Sequence, residues 1–281
     1  MQPHCLGLVS SRQFPRLTAS DSLLIKPLTS LGFQVRIVPW DDERVKWKEF
    51  DTLILRSCWN YHLVPEKFLS WLDLIEKQGI KLWNPYPIVR WNINKKYLFD
   101  LQKRGIDIVP TKLISKNSEI NLKKYFEEFN CSELIFKPVI GASAYGVKRI
   151  SKNTKFTLPA GDYLVQPFLK EIYDGEYSLI FFNKKFSHAV IKIPNAKDFR
   201  TQPELGGTEK LIQPDKKIIK QAQNILKQVD SPLLYARVDG LLINGIFTLM
   251  ELELVEPHLF LDIKSNSAGK IFKELSELIR H

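Results

Sequence analysis

Along the chain, apolar and polar positions follow two rhythms. Short apolar runs of strand length at 6–9, 35–38 and 53–55 are separated by stretches with helical spacing, the pattern of an α/β unit. The sharpest helical pattern begins at Pro65, where a missing N–H costs nothing. It carries Phe68, Leu69, Leu72 and Ile75 on one face and stops at Gly79. A second helix is predicted over 94–104, ending at Gly105. After Pro110 come a strand at 111–114, a polar helix at 122–129 and β-rich stretches at 133–137, 147–150, 163–165, 177–182 and 186–193. A helix over 215–229 precedes two strands, 236–243 and 247–255, that meet at Asn244-Gly245, and an amphipathic helix is predicted over 267–280. Alternating β and α elements followed by an antiparallel region predict an α/β (α+β) fold.

Composition adds a division. All six tryptophans, Trp40, Trp47, Trp59, Trp71, Trp83 and Trp91, fall in the first third, which suggests a unit with its own core over 1–92 and a second over 93–281. With 281 residues and 44% hydrophobic content the chain can bury a substantial core. No apolar run approaches the roughly 18–20 residues that cross a bilayer, and Met1 is not followed by a basic stretch and then an apolar one. The expectation is a cytoplasmic protein without a membrane segment. Cys5, Cys58 and Cys131 are odd in number and widely spaced, so they encode neither a disulfide framework nor a zinc ribbon. The formal charge of +10 favours anionic partners, but the lysines are scattered through every segment, which argues against a nucleic-acid footprint.

Glu251 and Glu253 are the most informative pair. In a strand, residues two apart project from the same face roughly 7 Å apart, so both carboxylates enter one space and repel unless a cation compensates them. Arg237 and Asp239 repeat the spacing on the preceding strand. A plain two-residue Asn244-Gly245 turn would pair Asp239 with Met250 and turn it away from the glutamates. One extra loop residue or a bulge would place Asp239 opposite Glu251 and Arg237 opposite Glu253, keeping polar with polar. That register gathers three carboxylates suited to Mg²⁺ beside one arginine; the alternative is an exposed hairpin with ordinary cross-strand ion pairs.

Three further clusters carry chemistry. Lys137 at a strand end precedes Gly141-Ala142-Ser143-Ala144-Tyr145-Gly146, where small residues let backbone N–H groups approach phosphate and the ammonium supplies charge. A glycine-rich hairpin turn is the bland counterpart. Lys192 and Arg200 flank a loop ending in Gly206-Gly207, which suits a mobile phosphate clamp or a plain surface loop. Beyond the predicted strand 53–55, Arg56 offers a forked donor for a carboxylate beside Ser57, with Trp59 and Tyr61 as flat walls. Packing between the two units, with Arg56 paired to a neighbouring acid, is the competing expectation.

In this order the clusters resemble the ATP-grasp superfamily, glutathione-synthetase type. The resemblance implies an ATP-grasp fold with an N-terminal α/β pre-ATP-grasp domain, a lid subdomain over 93–165 and a C-terminal catalytic subdomain over 166–281. It implies that Lys95 and Lys137 are the nucleotide lysines, that Gly141, Ser143 and Gly146 belong to the lid over the phosphates, and that Gln166, Phe168 and Leu169 form the adenine hinge, with Glu176 following. Asp239, Glu251 and Glu253 fall on the magnesium ligands, Glu253 standing where asparagine is usual, and Lys192, Arg200 and Arg237 are expected at the transferred phosphate. Val38-Pro39-Trp40-Asp41-Asp42, Arg56-Ser57-Cys58-Trp59-Asn60-Tyr61-His62, Asn84-Pro85, Phe186-Ser187-His188-Ala189-Val190 and the run from Met250 to Pro257 look most like the D-cycloserine-forming cyclo-ligase group.

The resemblance implies an ATP- and Mg²⁺-dependent ligase, with Mn²⁺ as a substitute metal. Such an enzyme phosphorylates an acceptor carboxylate or carbonyl oxygen and forms a C–N bond, releasing ADP and phosphate. Its partner would be a small amino-acid-like or peptide substrate placed at Arg56, Ser57, Trp59, Tyr61, Gly206 and Gly207, in a monomer or homodimer. A nucleotide sensor that ligates nothing would share the ATP site but release no ADP in response to an amino acid. An RNA-binding protein would show steep salt dependence, which the acidic cluster at 239–256 opposes.

Overall fold

In the computed structural model, residues 4–116, 118–154, 156–196, 198–202, 205–263 and 274 are described. The helix predicted over 267–280 lies outside the described residues, Glu274 excepted.

The N-terminal unit runs β1 (Cys5–Ser10), α1 (Ala19–Ser22), α2 (Ile25–Ser30), β2 (Gln34–Pro39), β3 (Thr52–Leu55), α3 (Pro65–Lys77) and β4 (Lys81–Trp83). Its sheet is ordered β2-β1-β3-β4 and all three pairings are parallel. Parallel pairing needs crossovers that cover both faces, which is why β1 and β3 are buried at every position. Phe68, Leu72 and Ile75 of α3 are buried as the spacing predicted, while Leu69 is only half-buried and Trp71 is buried in addition; Gly79 follows with φ +74°. The three-residue β4 is too short to stand out by pattern.

Next come α4 (Tyr86–Ile93), α5 (Tyr97–Lys103), β5 (Lys112–Ile114), α6 (Leu122–Glu128), β6 (Glu133–Pro138), β7 (Lys148–Ser151) and β8 (Tyr163–Pro167). The helix expected over 94–104 is α5, which starts three residues later because Asn94 has extended backbone; α4 before it, over 86–93, was not expected. The strands form an antiparallel sheet, β5-β8-β6-β7.

The last part holds β9 (Glu176–Phe182), β10 (Lys185–Ile193), β11 (Thr208–Ile212), α7 (Lys216–Lys227), β12 (Tyr235–Ile243) and β13 (Ile246–Glu253), giving the antiparallel sheet β11-β10-β9-β12-β13. One apolar cluster joins α5 and α7 to this sheet through Leu98, Leu101, Ala222, Ile225, Phe181 and Val238. Another joins the N-terminal sheet to it: Leu6, Leu8, Ile54 and Trp83 pack with Ile180, Phe182, Val190 and Tyr235. The Tyr235 hydroxyl reaches the carbonyls of Leu55 and Val255, both at 2.8 Å, and Asn84 donates to the carbonyls of Tyr235 and Leu254. These bonds fix the ends of the N-terminal strands against the end of β13.

Candidate active site

The β12–β13 hairpin sets the site's register. Asn244 and Gly245 have φ of +51° and +76°, as a two-residue type I′ turn requires, and Ile243 pairs directly with Ile246. The turn is therefore compact, and the extra residue sits inside the ladder. Gly240 pairs with Leu249 while Asp239 pairs with Glu251, leaving Met250 as a bulge. A Cβ on Gly240 would stand 2.5 Å from the Phe247 ring and 2.6 Å from the Thr248 carbonyl oxygen, so the crowding beside the bulge admits only glycine. Past the bulge, Arg237 faces Glu253.

Asp239 is buried and fully engaged. It accepts Arg237 Nε at 3.0 Å, Arg237 Nη2 at 2.9 Å and Ser178 Oγ at 2.7 Å, with Lys192 Nζ 3.5 Å away. Lys192 also donates to Glu176 Oε1 at 2.8 Å, and the second oxygen of Glu176 accepts Thr201 Oγ1 at 2.9 Å. Arg237 spans the strands to Glu253 Oε1 and donates to the His258 carbonyl. Burial alone would push the Asp239 carboxyl up, but Arg237 and Lys192 reverse this and hold it below its ordinary value. For Glu253 the same arginine is not enough. Burial, then the charges of Asp239 and Glu251, outweigh Arg237 and push the Glu253 carboxyl up to about 7.

Lys95, between α4 and α5, pairs with Glu251 Oε1 at 2.7 Å and donates to the Gly141 carbonyl, also at 2.7 Å. Lys137, near the end of β6, is buried, and among the described residues its ammonium makes no hydrogen bond or ion pair. Burial lowers its pKa to about 8, against the pull of Glu251 and with the push of Lys95. A desolvated, uncompensated ammonium is costly unless an anion arrives. The adjoining loop turns through left-handed residues Ser143, Ala144 and Gly146, with φ of 51°, 54° and 69°. A Cβ on Gly146 would lie 2.8 Å from Pro138 Cγ, so this loop folds tightly over the strand that carries Lys137.

Gln166 and Phe168 end β8 and begin its exit. The Gln166 side chain donates to Thr111 Oγ1 at 2.7 Å, and the Phe168 N–H donates to the Glu133 carbonyl at 2.9 Å. Arg149, paired with Glu133, lies 3.6 Å over the Phe168 ring, and half-buried Leu169 precedes a short 3₁₀ turn at Lys170–Asp174.

Other predicted residues take different places. Arg200 pairs with Asp198 in its own loop at 2.7 Å, and among the described residues no ion pair joins it to the carboxylate cluster. Gly206 has φ +86°, and a Cβ on Gly207 would come within 2.2 Å of the Thr201 carbonyl oxygen, so the loop closes on the residue that holds Glu176. The expectation that Arg56 offers its fork to a substrate is corrected. Arg56 is 0% exposed, paired with Asp21 at 2.7 Å, and donates to the Pro257 carbonyl at 2.6 Å. Ser57 Oγ completes this with a bond to Asp21 Oδ2 at 2.8 Å. Trp59 donates to the Glu256 carbonyl at 3.1 Å, and Tyr61 is buried against Phe68 at 5.1 Å between ring centroids. Arg56 and Trp59 thus tie the N-terminal unit to the segment that follows β13, where Tyr61 shares an apolar cluster with Val255, while Ser57 bonds within the N-terminal unit. Sequence reasoning missed Asp21, whose pairing with Arg56 spans 35 positions, and Glu256, which the short run Glu-Leu-Glu-Leu-Val-Glu-Pro could have flagged.

For a metal, Glu251 and Glu253 are the fitting donors: they project from one face of β13 and are 30% and 29% exposed. Asp239 is saturated by Arg237, Ser178 and Lys192. Among the described residues no group of three or more His, Cys, Asp or Glu side chains is arranged to hold a metal ion as they stand, although Asp239 lies across the ladder from Glu251 as the register argument expected. Asp239 could ligate only after giving up part of its cation contacts.

With paired lysines under a glycine loop and carboxylates on neighbouring strands, the chain belongs to the ATP-grasp family described as "Prokaryotic glutathione synthetase, ATP-grasp domain", which matches residues 98–267. It has the ATP-grasp fold and is an ATP-grasp ligase, an enzyme of the C–N bond-forming class. Residues 6–84 match "D-cycloserine synthetase DcsG, N-terminal domain". The chain is 25% identical to the cycloserine biosynthesis protein DcsG of Streptomyces lavendulae, over 92% of this chain and 93% of that protein. It is 27% identical to a glutathione synthetase of Prochlorococcus marinus, over 74% and 69% of the two chains. The crystal structure of D-cycloserine synthetase DcsG superposes with a TM-score of 0.85 at 23% identity, covering 98% of this chain and 99% of that one. D-alanine–D-alanine ligase from Bacillus anthracis complexed with ATP gives 0.69 at 16% identity, over 99% and 98%. No described helix is long and apolar enough to cross a membrane.

Proposed function

We propose that the enzyme transfers the γ-phosphoryl group of ATP to a carboxylate or carbonyl oxygen of an amino-acid-like or peptide substrate and then forms a C–N bond at the activated carbon. The observation that carries this reading is Lys137, a buried ammonium without a partner among the described residues, set beside Lys95 and Glu251 beneath the 141–146 loop. Residues 93–165 would act as the lid subdomain, 166–281 as the catalytic subdomain and 1–92 as the acceptor side.

Lys137 and Lys95 receive phosphate oxygens, Lys95 leaving Glu251 as it does so, and N–H groups of the glycine loop add donors. The backbone leaving Gln166, beside Phe168 and Leu169, borders the adenine. Arg237 and Lys192 hold charge where the phosphoryl group passes; alignment and electrostatics rather than covalent help from the protein carry such a transfer. Arg200 joins them only if its loop moves. The acceptor oxygen bonds to the γ-phosphorus as the bond to the β-phosphate oxygen breaks and ADP leaves. A nitrogen then attacks the activated carbon and phosphate departs. Mg²⁺, or Mn²⁺ in its place, would be held by Glu251 and Glu253, with Asp239 joining on release from Lys192, and supplies charge neutralisation for the phosphates.

The similarity to a cycloserine biosynthesis protein favours a small amino-acid substrate over a long peptide. The test is ADP release against a panel of amino acids, with mass spectrometry of the product. Amino-acid-dependent ADP release with a new C–N bond is expected; ADP release indifferent to every acceptor would oppose the reading.

A further inference from the structure

Glu256 follows Glu253 by three residues, so the two lie at most about 10 Å apart along the chain. It is 6% exposed, in the seam where Trp59 donates to its carbonyl oxygen. The two nearby guanidinium groups are already committed: Arg56 to Asp21 and the Pro257 carbonyl, Arg237 to Asp239 and Glu253. Among the described residues no cation pairs with the Glu256 carboxylate. Tyr61 is a neighbour, and burial followed by the charge of Glu253 pushes the carboxyl well above its ordinary range. A carboxylate this buried normally has a cation or a full set of donors.

We infer that Glu256, with Tyr61 beside it, receives the ammonium group of the amino-acid substrate. Its place favours an ammonium over a second metal. Its peptide oxygen is held by Trp59 and no second carboxylate is paired to it, whereas a hard dication needs several oxygens. A substrate whose reacting oxygen meets the phosphate near Glu251 and Glu253 brings its amino end to Glu256, so the seam that excludes Arg56 from binding still selects an amino acid. The residue is a specificity determinant and takes no part in phosphoryl transfer.

This inference rests on the ligase reading, and the experiment separates the two. ADP release is measured for wild type and Glu256→Gln with D- and L-amino acids and with their N-acetyl derivatives, whose nitrogen carries no charge; ATP binding and thermal stability are measured alongside. Free amino acids should stimulate wild type and acetylated ones should not. Glu256→Gln should raise the acceptor KM by roughly 10- to 100-fold, the scale of a charge-assisted hydrogen bond. ATP affinity and Tm should stay unchanged, since burial already favours the neutral form of this carboxyl in the free protein. Glu256→Asp should recover part of the KM. An unchanged KM in Glu256→Gln, stimulation by acetylated acceptors, or ATP binding without stimulation by any free amino acid would each overturn the inference while leaving nucleotide binding intact. Failure of wild type to bind ATP would overturn the ligase reading itself and this inference with it.

Discussion

Asp239 stands directly across the ladder from Glu251 because Met250 is bulged out of β13. Without that extra residue Asp239 would face Met250, and the arginine and lysine that neutralise it would be separated from the glutamates. Gly240→Ala tests the arrangement. The new Cβ would meet the Thr248 carbonyl oxygen at 2.6 Å, which is backbone and has little room to yield. A loss of about 1–3 kcal/mol in denaturant unfolding is expected, with reduced turnover even when the variant is folded.

Lys137→Met removes an ammonium that costs the free protein stability. ATP affinity should fall by roughly 10- to 100-fold, while Tm is unchanged or rises. A large loss of stability with normal ATP affinity would assign Lys137 to the fold.

The same lysine gives a pH signature. Its pKa in the folded protein is about 8, against about 10.4 in an unfolded chain. Below pH 8 both states carry the proton and the native state bears the desolvation cost. Between about 8 and 10.4 the unfolded state binds more protons, so this group's contribution to stability improves as pH rises. Phosphate binding should do the reverse, drawing a proton onto Lys137. Calorimetry of ATP binding near pH 8, in buffers of different ionisation enthalpy, should show proton uptake that is absent from Lys137→Met.

Glu251→Gln should weaken metal activation and release Lys95 from its ion pair. Raising the Mg²⁺ concentration should restore part of the lost turnover. Equal loss at every metal concentration would argue that Glu251 acts elsewhere in the reaction.

Arg56→Ala should act on stability first. Removing one partner of a fully buried ion pair leaves Asp21 uncompensated, a loss of about 3–5 kcal/mol. Asp21→Asn together with Arg56→Met should recover much of it in thermal unfolding. A folded Arg56→Ala enzyme with normal stability and a raised acceptor KM would return Arg56 to a binding role.

The parts of the site legible in the sequence were those encoded by local spacing. Glu251 and Glu253 share a face because they are two residues apart in a strand, and the preference for polar opposite polar was enough to choose the register of Asp239 and Arg237. The position of the extra residue was not legible: Asn244-Gly245 is a complete turn, and only the crowding at Gly240 reveals where the ladder slips. Long-range pairings were hidden for a different reason. Asp21 sits just inside a helix capped by Thr18, and nothing in that segment signals a partner beyond β3. Likewise β4 and β11 form because a neighbouring strand offers hydrogen bonds, one having three residues and the other mostly exposed, so neither leaves a strong periodic trace.

The most direct measurement follows oxygen. With an acceptor that the amino-acid panel shows to stimulate ADP release, its reacting oxygens are labelled with ¹⁸O and the released phosphate is analysed by mass spectrometry. One ¹⁸O atom per phosphate, formed together with ADP and the C–N bond and lost in Lys137→Met, is the predicted result. Unlabelled phosphate released while the C–N bond forms would contradict phosphoryl transfer to the acceptor.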